Sequence, residues 1–244
     1  TITITITGIN DAATIGGTST GGATEDTSDG SGTLTVADTD TNEDSFTAVS
    51  TETASVSGYG TYTITSGGVW AYTLTDSNSA VQALALAATM TDTFAVTSSD
   101  GGTSQTITIT ITGVNDAATF GGATTGGATE DTSDASGTAT VTDTDTGQST
   151  FTAVSTETAS VSGYGTYTIT SGGVWAYTLT DSNSAVQALA AAATMSDTFA
   201  VTSSDGTSQT ITITITGVTD AATFGGDTTG GATEAPSDAS GTEK

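Results

Sequence analysis

The sequence has no cysteine, no histidine and no arginine, and its single basic residue is Lys244. Without cysteine there is neither a disulfide nor a thiolate nucleophile. Without histidine there is no ordinary general base to activate a Ser or Thr hydroxyl, and no guanidinium is present to hold an anionic substrate. Paired carboxylates can hydrolyse glycosides, but here the acids fall in repeated turns with no sign of a substrate cleft. The composition therefore argues against an enzyme.

Positive charge is the scarcest feature of the chain: 27 Asp and Glu residues give a formal net charge of −26. Such a surface repels nucleic acid and anionic membranes, and no apolar run approaches the roughly 18 residues of a membrane span. It also repels itself unless cations neutralise it, and Ca²⁺ is a natural counterion for clustered carboxylates outside a cell. We therefore expect a fold that depends on a metal ion such as Ca²⁺ and that neither binds nucleic acid nor inserts into a membrane.

Aromatic residues are also few, at 6 % of the chain. High net charge with few aromatics is typical of disordered segments. Against that alternative, the Ile, Val, Phe, Tyr and Trp residues recur at the two-residue period that puts apolar side chains on one face of a strand. The pattern predicts folded β structure.

The chain repeats itself at a period of about 105 residues. Trp70 recurs as Trp175, and the block 46–85 returns letter for letter at 151–190. A period near 100 residues is typical of tandem domains rather than of a solenoid. The expected divisions are 1–11 as the orphan last strand of a repeat, 12–116 and 117–220 as two complete repeats, and 221–244 as the partial start of a further repeat.

Within one repeat the alternation predicts almost nothing but strands. The predicted segments are SGTLTVAD (31–38), SFTAVS (45–50), GTYTITSGGVWAYTLT (60–75), TDTFAVTSSDG (91–101) and TSQTITITITG (103–113). The SGG at 66–68 makes 60–75 a hairpin, because glycine accepts the positive φ of a tight turn. SAVQALALAAT at 79–89 is the exception and predicts a short helical turn between sheets.

About seven short strands per repeat predict an all-β fold of antiparallel, immunoglobulin-like sandwiches in tandem. Trp70 and Trp175 could stack on a ligand, but a lone Trp at the centre of a strand favours the core. The predicted core residues of the first repeat are Tyr62, Ile64, Trp70, Tyr72, Leu74, Phe94, Val96, Ile107, Ile109 and Ile111.

Four motifs in a fixed order carry a family resemblance: SGTLTVADTD (31–40), YGTYTITSGGVWAYTLTDSNSAVQAL (59–84), TDTFAVTSSDG (91–101) and ITITITGVNDA (107–117). With them the repeat resembles the VCBS repeats of bacterial surface adhesins, which are related to bacterial cadherin-like domains. The resemblance implies a calcium-stabilised sandwich, repeated in an extended array as a stalk or adhesive surface on a bacterial exterior.

Ca²⁺ takes six to eight oxygen ligands, so carboxylates from several loops must converge on it. Three loops per repeat offer them, in an arrangement similar to cadherins, where linker residues and a later DxD turn hold calcium at the domain boundary. The candidate ligands are Asn10, Asp11, Asn115, Asp116 and Asp220 in the linker turns, Glu25, Asp26, Glu130 and Asp131 in the segments that enter each repeat, and Asp38, Asp40, Asp143 and Asp145 in the DTD turns.

Solvated turns are the alternative for these residues, because Asp and Asn hydrogen-bond their own backbone in turns. The run from Asp38 does not match an EF-hand, since Glu43 stands where that loop needs glycine. The remaining acids of each repeat are interpreted as turn residues: Asp76, Asp92 and Asp100, with their copies Asp181, Asp197 and Asp205.

A structural or adhesive surface protein is the leading functional hypothesis. The alternative is a module that binds carbohydrate or ice through the outward threonines of TITITIT, although only one such strand is expected per repeat. A third hypothesis is self-assembly, in which residues 1–7 of one copy add to a sheet edge of the next and build a head-to-tail filament.

Overall fold

The computed structural model describes residues 1–222, 225 and 230. The expected start of a further repeat at 221–244 therefore lies almost entirely outside the described residues. We call the first set of elements body 1; it consists of β1 (Thr14–Gly17), β2 (Thr20–Thr24), β3 (Gly30–Ala37), β4 (Val49–Ala54), β5 (Gly60–Ile64), β6 (Val69–Leu74), α1 (Ser79–Gln82), β7 (Thr89–Thr97) and β8 (Ser104–Thr112).

Body 2 repeats this order with nearly the same bounds. It consists of β9 (Thr119–Gly122), β10 (Thr125–Thr129), β11 (Ala135–Thr142), β12 (Val154–Ala159), β13 (Gly165–Ile169), β14 (Val174–Leu179), α2 (Ser184–Gln187), β15 (Thr194–Thr202) and β16 (Ser208–Thr216).

Each body is a sandwich of a five-stranded and a three-stranded sheet. In body 1 the sheet orders are β1-β3-β6-β5-β4 and β2-β8-β7, and body 2 has the equivalent orders β12-β13-β14-β11-β9 and β10-β16-β15. All pairs are antiparallel except β2 with β8 and β10 with β16. The predicted all-β tandem sandwich is confirmed.

The core of each body follows from the two-residue period. Ile107, Ile109 and Ile111 of β8 are fully buried, and they belong to the same apolar cluster as Trp70, which is also fully buried. The indole Nε1–H of Trp70 donates to the carbonyl of Thr18 at 2.9 Å, which satisfies its one polar atom. Both tryptophans are core residues, as the sequence predicted.

The β5–β6 hairpin turns at Gly68, whose φ is +86°. A Cβ at this position would meet the carbonyl oxygen of Leu34 and the ring of Phe46, so glycine is required both by conformation and by space. The predicted helical turn is present as α1, and the side chain of Asn78 caps it by accepting from the N–H of Ala80 at 2.9 Å.

The first two strands of each body are not among the strands that the sequence predicts. β1 and β2 lie in the glycine-rich stretch 14–24, and the chain crosses from one sheet to the other between them, next to Gly17 with φ +91°. Gly21 of β2 lies against the ring of Trp70, where a Cβ would approach the indole to 2.6 Å. The strand predicted at 45–50 begins only at Val49 and continues to Ala54.

Asp92 and Asp197 are not turn residues, contrary to the sequence interpretation. Asp92 lies in the middle of β7 and is 1 % exposed. Its carboxylate accepts hydrogen bonds from the hydroxyls of Ser55 and Tyr72 and from the N–H groups of Ser57, Tyr59 and Thr93. Asp197 has the equivalent partners in body 2. These hydrogen bonds connect the loop after β4 to the opposite sheet in body 1, and the loop after β12 to the opposite sheet in body 2.

Threonines of all three strands lie on the outer face of the smaller sheet, with Gly22 at the middle outward position of β2. In the register of body 1, Thr108 of β8 lies between Thr20 of β2 and Thr93 of β7, and Thr112 lies between Thr24 and Thr89. Body 2 repeats the arrangement. The expectation of a single threonine strand per repeat was therefore wrong, because the neighbouring strands place their own threonines in the same phase.

Residues 1–13 belong to no strand. Ile2, Ile4, Ile6 and Ile9 are 80–91 % exposed. The same heptapeptide TITITIT forms the buried strand β8 at 106–112, so its apolar face is covered there and uncovered at 1–7.

Candidate metal centre

The DTD turn of body 1 brings three carboxylates together. Oxygens of Asp38, Asp40 and Glu43 lie within 4.8 Å of one another. Asp38 accepts the N–H of Asp40 at 2.8 Å through Oδ1, a bond that fixes the turn. The turn thus directs several acidic side chains to one point, as the DTD spacing predicted for Asp38 and Asp40.

The linker before body 1 joins this turn. The N–H of Asp11 donates to Asp40 Oδ2 at 2.7 Å, and the amide of Asn10 donates to Asp100 Oδ2 at 3.1 Å. We call the resulting group the first cluster; it comprises Asn10, Asp11, Asp38, Asp40, Glu43 and Asp100. Linker, DTD turn and the loop between the last two strands therefore converge, although they are distant in sequence.

A second group lies where body 1 meets body 2. The N–H of Asp116 donates to Asp145 Oδ2 at 3.0 Å, and Asp143 accepts the N–H of Asp145 at 2.8 Å. From body 1, Glu25 follows β2 and accepts the N–H of Val114 through Oε2 at 3.0 Å. We call Glu25, Asn115, Asp116, Asp143 and Asp145 the junction cluster; it draws carboxylates from both bodies and from the linker.

Two contacts support the junction cluster from body 2. Asp205 accepts the N–H of Ala118 at 3.2 Å, which holds the end of the linker. The N–H of Thr146, next to Asp145, donates to the carbonyl of Ala83 in body 1 at 3.1 Å. The second bond joins the bodies through backbone alone and does not depend on a metal ion.

The burial of these carboxylates is the main indication of a cation. Glu25 and Asp145 are 1 % and 2 % exposed, and each has one oxygen with no hydrogen-bond partner. Among the described residues, every buried side-chain nitrogen or oxygen without a partner is a carboxylate oxygen, and the residues concerned are Glu25, Asp38, Glu43, Asp100, Asp116, Glu130, Asp143 and Asp145. A buried carboxylate without a partner is unfavourable unless a cation compensates it.

The pKa values of three of these carboxyl groups also indicate an unfavourable environment for the ionised form. Burial raises the pKa of Glu25 above its ordinary 4.5; the bond from Val114 opposes this, while the charges of Asp116, Asp26 and Asp145 add to it. Burial and the charges of Asp143, Asp116 and Asp205 likewise raise the pKa of Asp145, against the bond from the Asp116 N–H. In the first cluster, desolvation and the charges of Asp40, Asp38 and Asp100 raise the pKa of Glu43. All three pKa values are raised mainly by desolvation, and repulsion from neighbouring carboxylates adds to it.

At the far end of body 2, Glu130 repeats the position of Glu25. It is fully buried, accepts the N–H of Val218 at 3.0 Å and has one oxygen without a partner. Asp220, the linker ligand that the sequence predicts after this body, is exposed.

Asp26 and Asp131 have other contacts. The N–H of Asp26 donates to Asp76, and its carboxylate accepts the amide of Gln82 at 3.3 Å; Asp131 repeats both contacts with Asp181 and Gln187. Their role as ligands stays a prediction.

Glu43, Asp100 and Asp205 are not among the ligands that the sequence predicts. Glu43 stands out there only as a mismatch to an EF-hand, and the pattern predicts turns at Asp100 and Asp205. Both are in turns, but those turns also face the DTD loops. Only the fold brings the turn before the last strand next to a loop roughly 60 residues away, so no local spacing could reveal it.

The donor set fits Ca²⁺. All candidate ligands offer oxygen, several oxygens are already desolvated, and the chain has no cysteine or histidine for a softer metal. Backbone N–H groups hold the other oxygens of Asp38, Asp40, Asp143 and Asp145 in place, so the free oxygens are oriented before an ion binds.

These features define a class: tandem β-sandwiches with carboxylate clusters at the boundary between bodies. The family model of the bacterial cadherin-like domain matches residues 10–113 and again residues 115–217. The chain belongs to the bacterial cadherin-like domain family, as the resemblance indicated. Domains of this kind are extracellular modules of adhesion or structure rather than enzymes, and they typically bind calcium.

Several solved cadherin structures are similar to the chain. Mouse cadherin-23 EC22-24 is 14 % identical with a TM-score of 0.49, over 86 % of this chain and 67 % of that one. Protocadherin gamma B2 domains 1-5 are 15 % identical with a TM-score of 0.46, over 88 % of this chain and 42 % of that one. The chain thus spans less than half of that protocadherin structure. No curated protein matches the sequence.

No helix among the described residues is long and apolar enough to cross a membrane.

Proposed function

We propose that this chain is an extracellular, calcium-stabilised structural or adhesive repeat of a bacterial surface. One observation carries the proposal: Glu25 and Asp145, from different bodies, are almost fully buried and each has an oxygen without a partner. A divalent cation between them would compensate both charges and connect the bodies.

The residues that would hold Ca²⁺ at the junction are Glu25, Asp116, Asp143 and Asp145, and in the first cluster Asp38, Asp40, Glu43 and Asp100. The bound ion supplies positive charge and fixes the directions of its ligands. Asn10 and Asn115 act beside them: each amide donates to the carbonyl of the following Asp, at 3.0 and 2.8 Å, and so shapes the linker turn.

The expected stabilisation is a substantial fraction of the stability of one domain. With a dissociation constant of about 0.1 mM and about 10 mM calcium, one site contributes about 2.7 kcal/mol. A typical domain has a total of about 5 to 15 kcal/mol. Calcium would therefore determine how much of the array stays folded and rigid.

Calcium titration of the Glu25→Gln variant tests this proposal. Glutamine keeps an acceptor for the Val114 N–H but removes the charge, so calcium should raise the unfolding temperature much less than in the unaltered chain. Glu52→Gln is the control, because Glu52 is an exposed glutamate of β4, and it should respond to calcium like the unaltered chain. Equal calcium responses in all three proteins would reject the junction site.

We further propose that copies of the chain assemble head to tail by strand addition. The isoleucines of residues 1–7 are exposed, whereas the identical heptapeptide in β8 is buried between two strands. A row of uncovered apolar side chains with unpaired backbone groups is a donor strand for a sheet edge of another copy.

Electron microscopy of the 244-residue chain in calcium tests the assembly. Filaments should form with the unaltered chain and disappear after deletion of residues 1–9. Replacing Ile2, Ile4 and Ile6 by serine keeps the length and should also abolish them. Filaments that persist in both variants would contradict strand addition through this segment.

The threonine face favours a second candidate function, the binding of a patterned ligand such as carbohydrate or ice. Its support is the three-strand threonine surface that recurs in both bodies. Replacing Thr108 and Thr110 by lysine would disturb the face of body 1 without touching the carboxylates. Reduced binding to polysaccharide, or reduced inhibition of ice recrystallisation, would support this candidate; no activity in the unaltered chain would eliminate it.

A further inference from the structure

The DTD loops of the two bodies differ at a position next to their carboxylates, where one has a glutamate and the other a glutamine. The loop of body 1 is DTDTNE at 38–43, and that of body 2 is DTDTGQ at 143–148. Glu43 therefore has Gln148 as its counterpart, 105 residues later. The loops also differ at 42/147, 44/149 and 45/150. At 44/149 the backbone contact is kept, because Asp44 accepts the N–H of Asp38 and Ser149 accepts the N–H of Asp143. The chain thus carries a glutamate and a glutamine at equivalent positions beside two DTD turns.

The two residues act differently on their neighbours. Glu43 adds a third carboxylate to Asp38 and Asp40, and its Oε2 is buried without a partner. Gln148 instead donates its amide N–H to Asp145 Oδ2 at 3.3 Å. The amide adds no negative charge and occupies a lone pair of a carboxylate that faces the junction cluster.

The junction offers independent evidence of a ligand. Asp145, the residue that Gln148 contacts, is more than nine-tenths buried, and its Oδ1 has no partner. Glu25 meets the same description from the other body. Calcium sites in proteins tune their affinity through the number of charged ligands and the rigidity of the site. A change from glutamate to glutamine at this position therefore changes the affinity of a site that the burial of Asp145 and Glu25 already indicates.

We propose that residue 148 sets the calcium affinity of the junction cluster, and that Gln148 keeps this cluster weaker than the first cluster. The inference rests on the calcium-binding function proposed above. Gln148 is a positioning residue that acts through Asp145. Calcium fills the first cluster at a lower concentration and the junction at a higher one, so the joint between the bodies responds to the external calcium concentration after body 1 is already loaded.

Reciprocal exchange of the two residues tests the inference in the 244-residue chain. Calcium is titrated while the backbone amide signals of Asp11 and Asp40 report on the first cluster and those of Asp116 and Thr146 report on the junction by NMR. Gln148→Glu should lower the calcium midpoint at the junction about tenfold, and Glu43→Gln should raise the midpoint of the first cluster about tenfold. Thr156→Glu, which adds a charge on the exposed strand β12, should leave both midpoints unchanged.

Three results would overturn the inference. If calcium shifts both sets of signals and Gln148→Glu leaves the junction midpoint unchanged, residue 148 does not set the affinity, while the proposed function stands. If Thr156→Glu lowers the junction midpoint as much as Gln148→Glu, the effect is one of total charge and not of position. If calcium shifts neither set of signals in any variant, the proposed function itself fails, and the inference fails with it.

Discussion

The carboxylates of this chain are of two physical kinds. Asp92 and Asp197 are buried with every oxygen hydrogen-bonded, whereas Glu25 and Asp145 are buried with one oxygen free. Burial alone would raise the pKa of Asp92, but the hydrogen bonds from Ser55, Ser57 and Tyr72 outweigh it and lower the pKa below the ordinary 3.8. The first kind of carboxylate stabilises the sandwich by itself, and the second needs a cation.

Replacing Asp92 by asparagine should destabilise body 1 by about 3 kcal/mol, because an amide group would face several donors and the charge that strengthens their bonds would be lost. Chemical denaturation of the full chain measures the loss as an earlier transition of body 1. The exposed Glu52→Gln should change the free energy of unfolding by no more than about 0.5 kcal/mol. A similarly small change in Asp92→Asn would show that the buried network contributes little.

Strand β2 combines the packing of the core with the position of the metal site. Its glycines alternate: Gly21 faces the ring of Trp70, and Gly22 faces outward, where the nearest atom to an added Cβ is the carbonyl oxygen of Thr110 at 3.8 Å. Glu25 follows directly after the strand, so the packing of β2 against Trp70 determines the position of that carboxylate.

Gly21→Ala should destabilise body 1 by about 1 to 3 kcal/mol, because the methyl group overlaps the indole and Trp70 cannot retreat within a packed core. Gly22→Ala, the matched control one residue away, should be neutral or slightly stabilising, since it reduces the freedom of the unfolded chain. Thermal unfolding compares the two variants. Equal effects would mean that β2 does not face the core as described.

Strands with a strong two-residue alternation of polar and apolar residues were predictable from the sequence. The glycine-rich strands were not. β8 and the β5–β6 hairpin follow from alternation and from the SGG turn. β1 and β2 are rich in glycine, which gives no apolar signal, so their pairing is visible only in the fold. Asp92 could have been recognised, because it has the same inward phase as Phe94 and Val96 on β7.

The candidate metal site was predictable in part for the same reason. Linker and DTD residues stand out because they recur in turns, and the fold brings Asp11 to Asp40 and Asp116 to Asp145. Glu43, Asp100 and Asp205 join them only through contacts between distant loops. The difference between Glu43 and Gln148 can be interpreted only from the contacts that the fold gives to each side chain.

The whole molecule carries a net charge of −26 and gathers part of it in buried clusters. Charge of this size opposes compaction unless cations offset it. The two bodies of this cadherin-like chain meet at a group of carboxylates, with one backbone bond between Thr146 and Ala83 beside it. Calcium should therefore act mainly on the joint between bodies and on the acidic end of body 1.

The pH dependence of stability should reverse with calcium. Glu25 and Glu43 have pKa values raised above 4.5, and Asp145 above 3.8. A carboxyl with a raised pKa favours the folded state while it is protonated, and this contribution is lost as the pH rises through the folded-state pKa. In a chelator, the unfolding temperature should therefore fall as the pH rises from about 4.5 to about 7.

In calcium the same range should show the opposite slope, because the ion requires ionised carboxylates. As the pH drops below 3.8, the unfolding temperature should decrease both with and without calcium. Asp92, Asp197 and Asp205 have lowered pKa values and lose their hydrogen-bonded charge in that range. Scanning calorimetry across pH, with and without chelator, measures both curves. Parallel curves would show that these carboxylates do not bind the ion.

The distance between the two bodies tests the central claim most directly. The chain has no cysteine, so spin labels at Thr51→Cys and Thr156→Cys, equivalent exposed positions on β4 and β12, report that distance alone by pulsed electron paramagnetic resonance. Calcium at the junction predicts a narrow distance distribution in calcium, a broad one in chelator, and a broad one in both conditions for Glu25→Gln. Identical distributions with and without calcium in the unaltered chain would contradict the account.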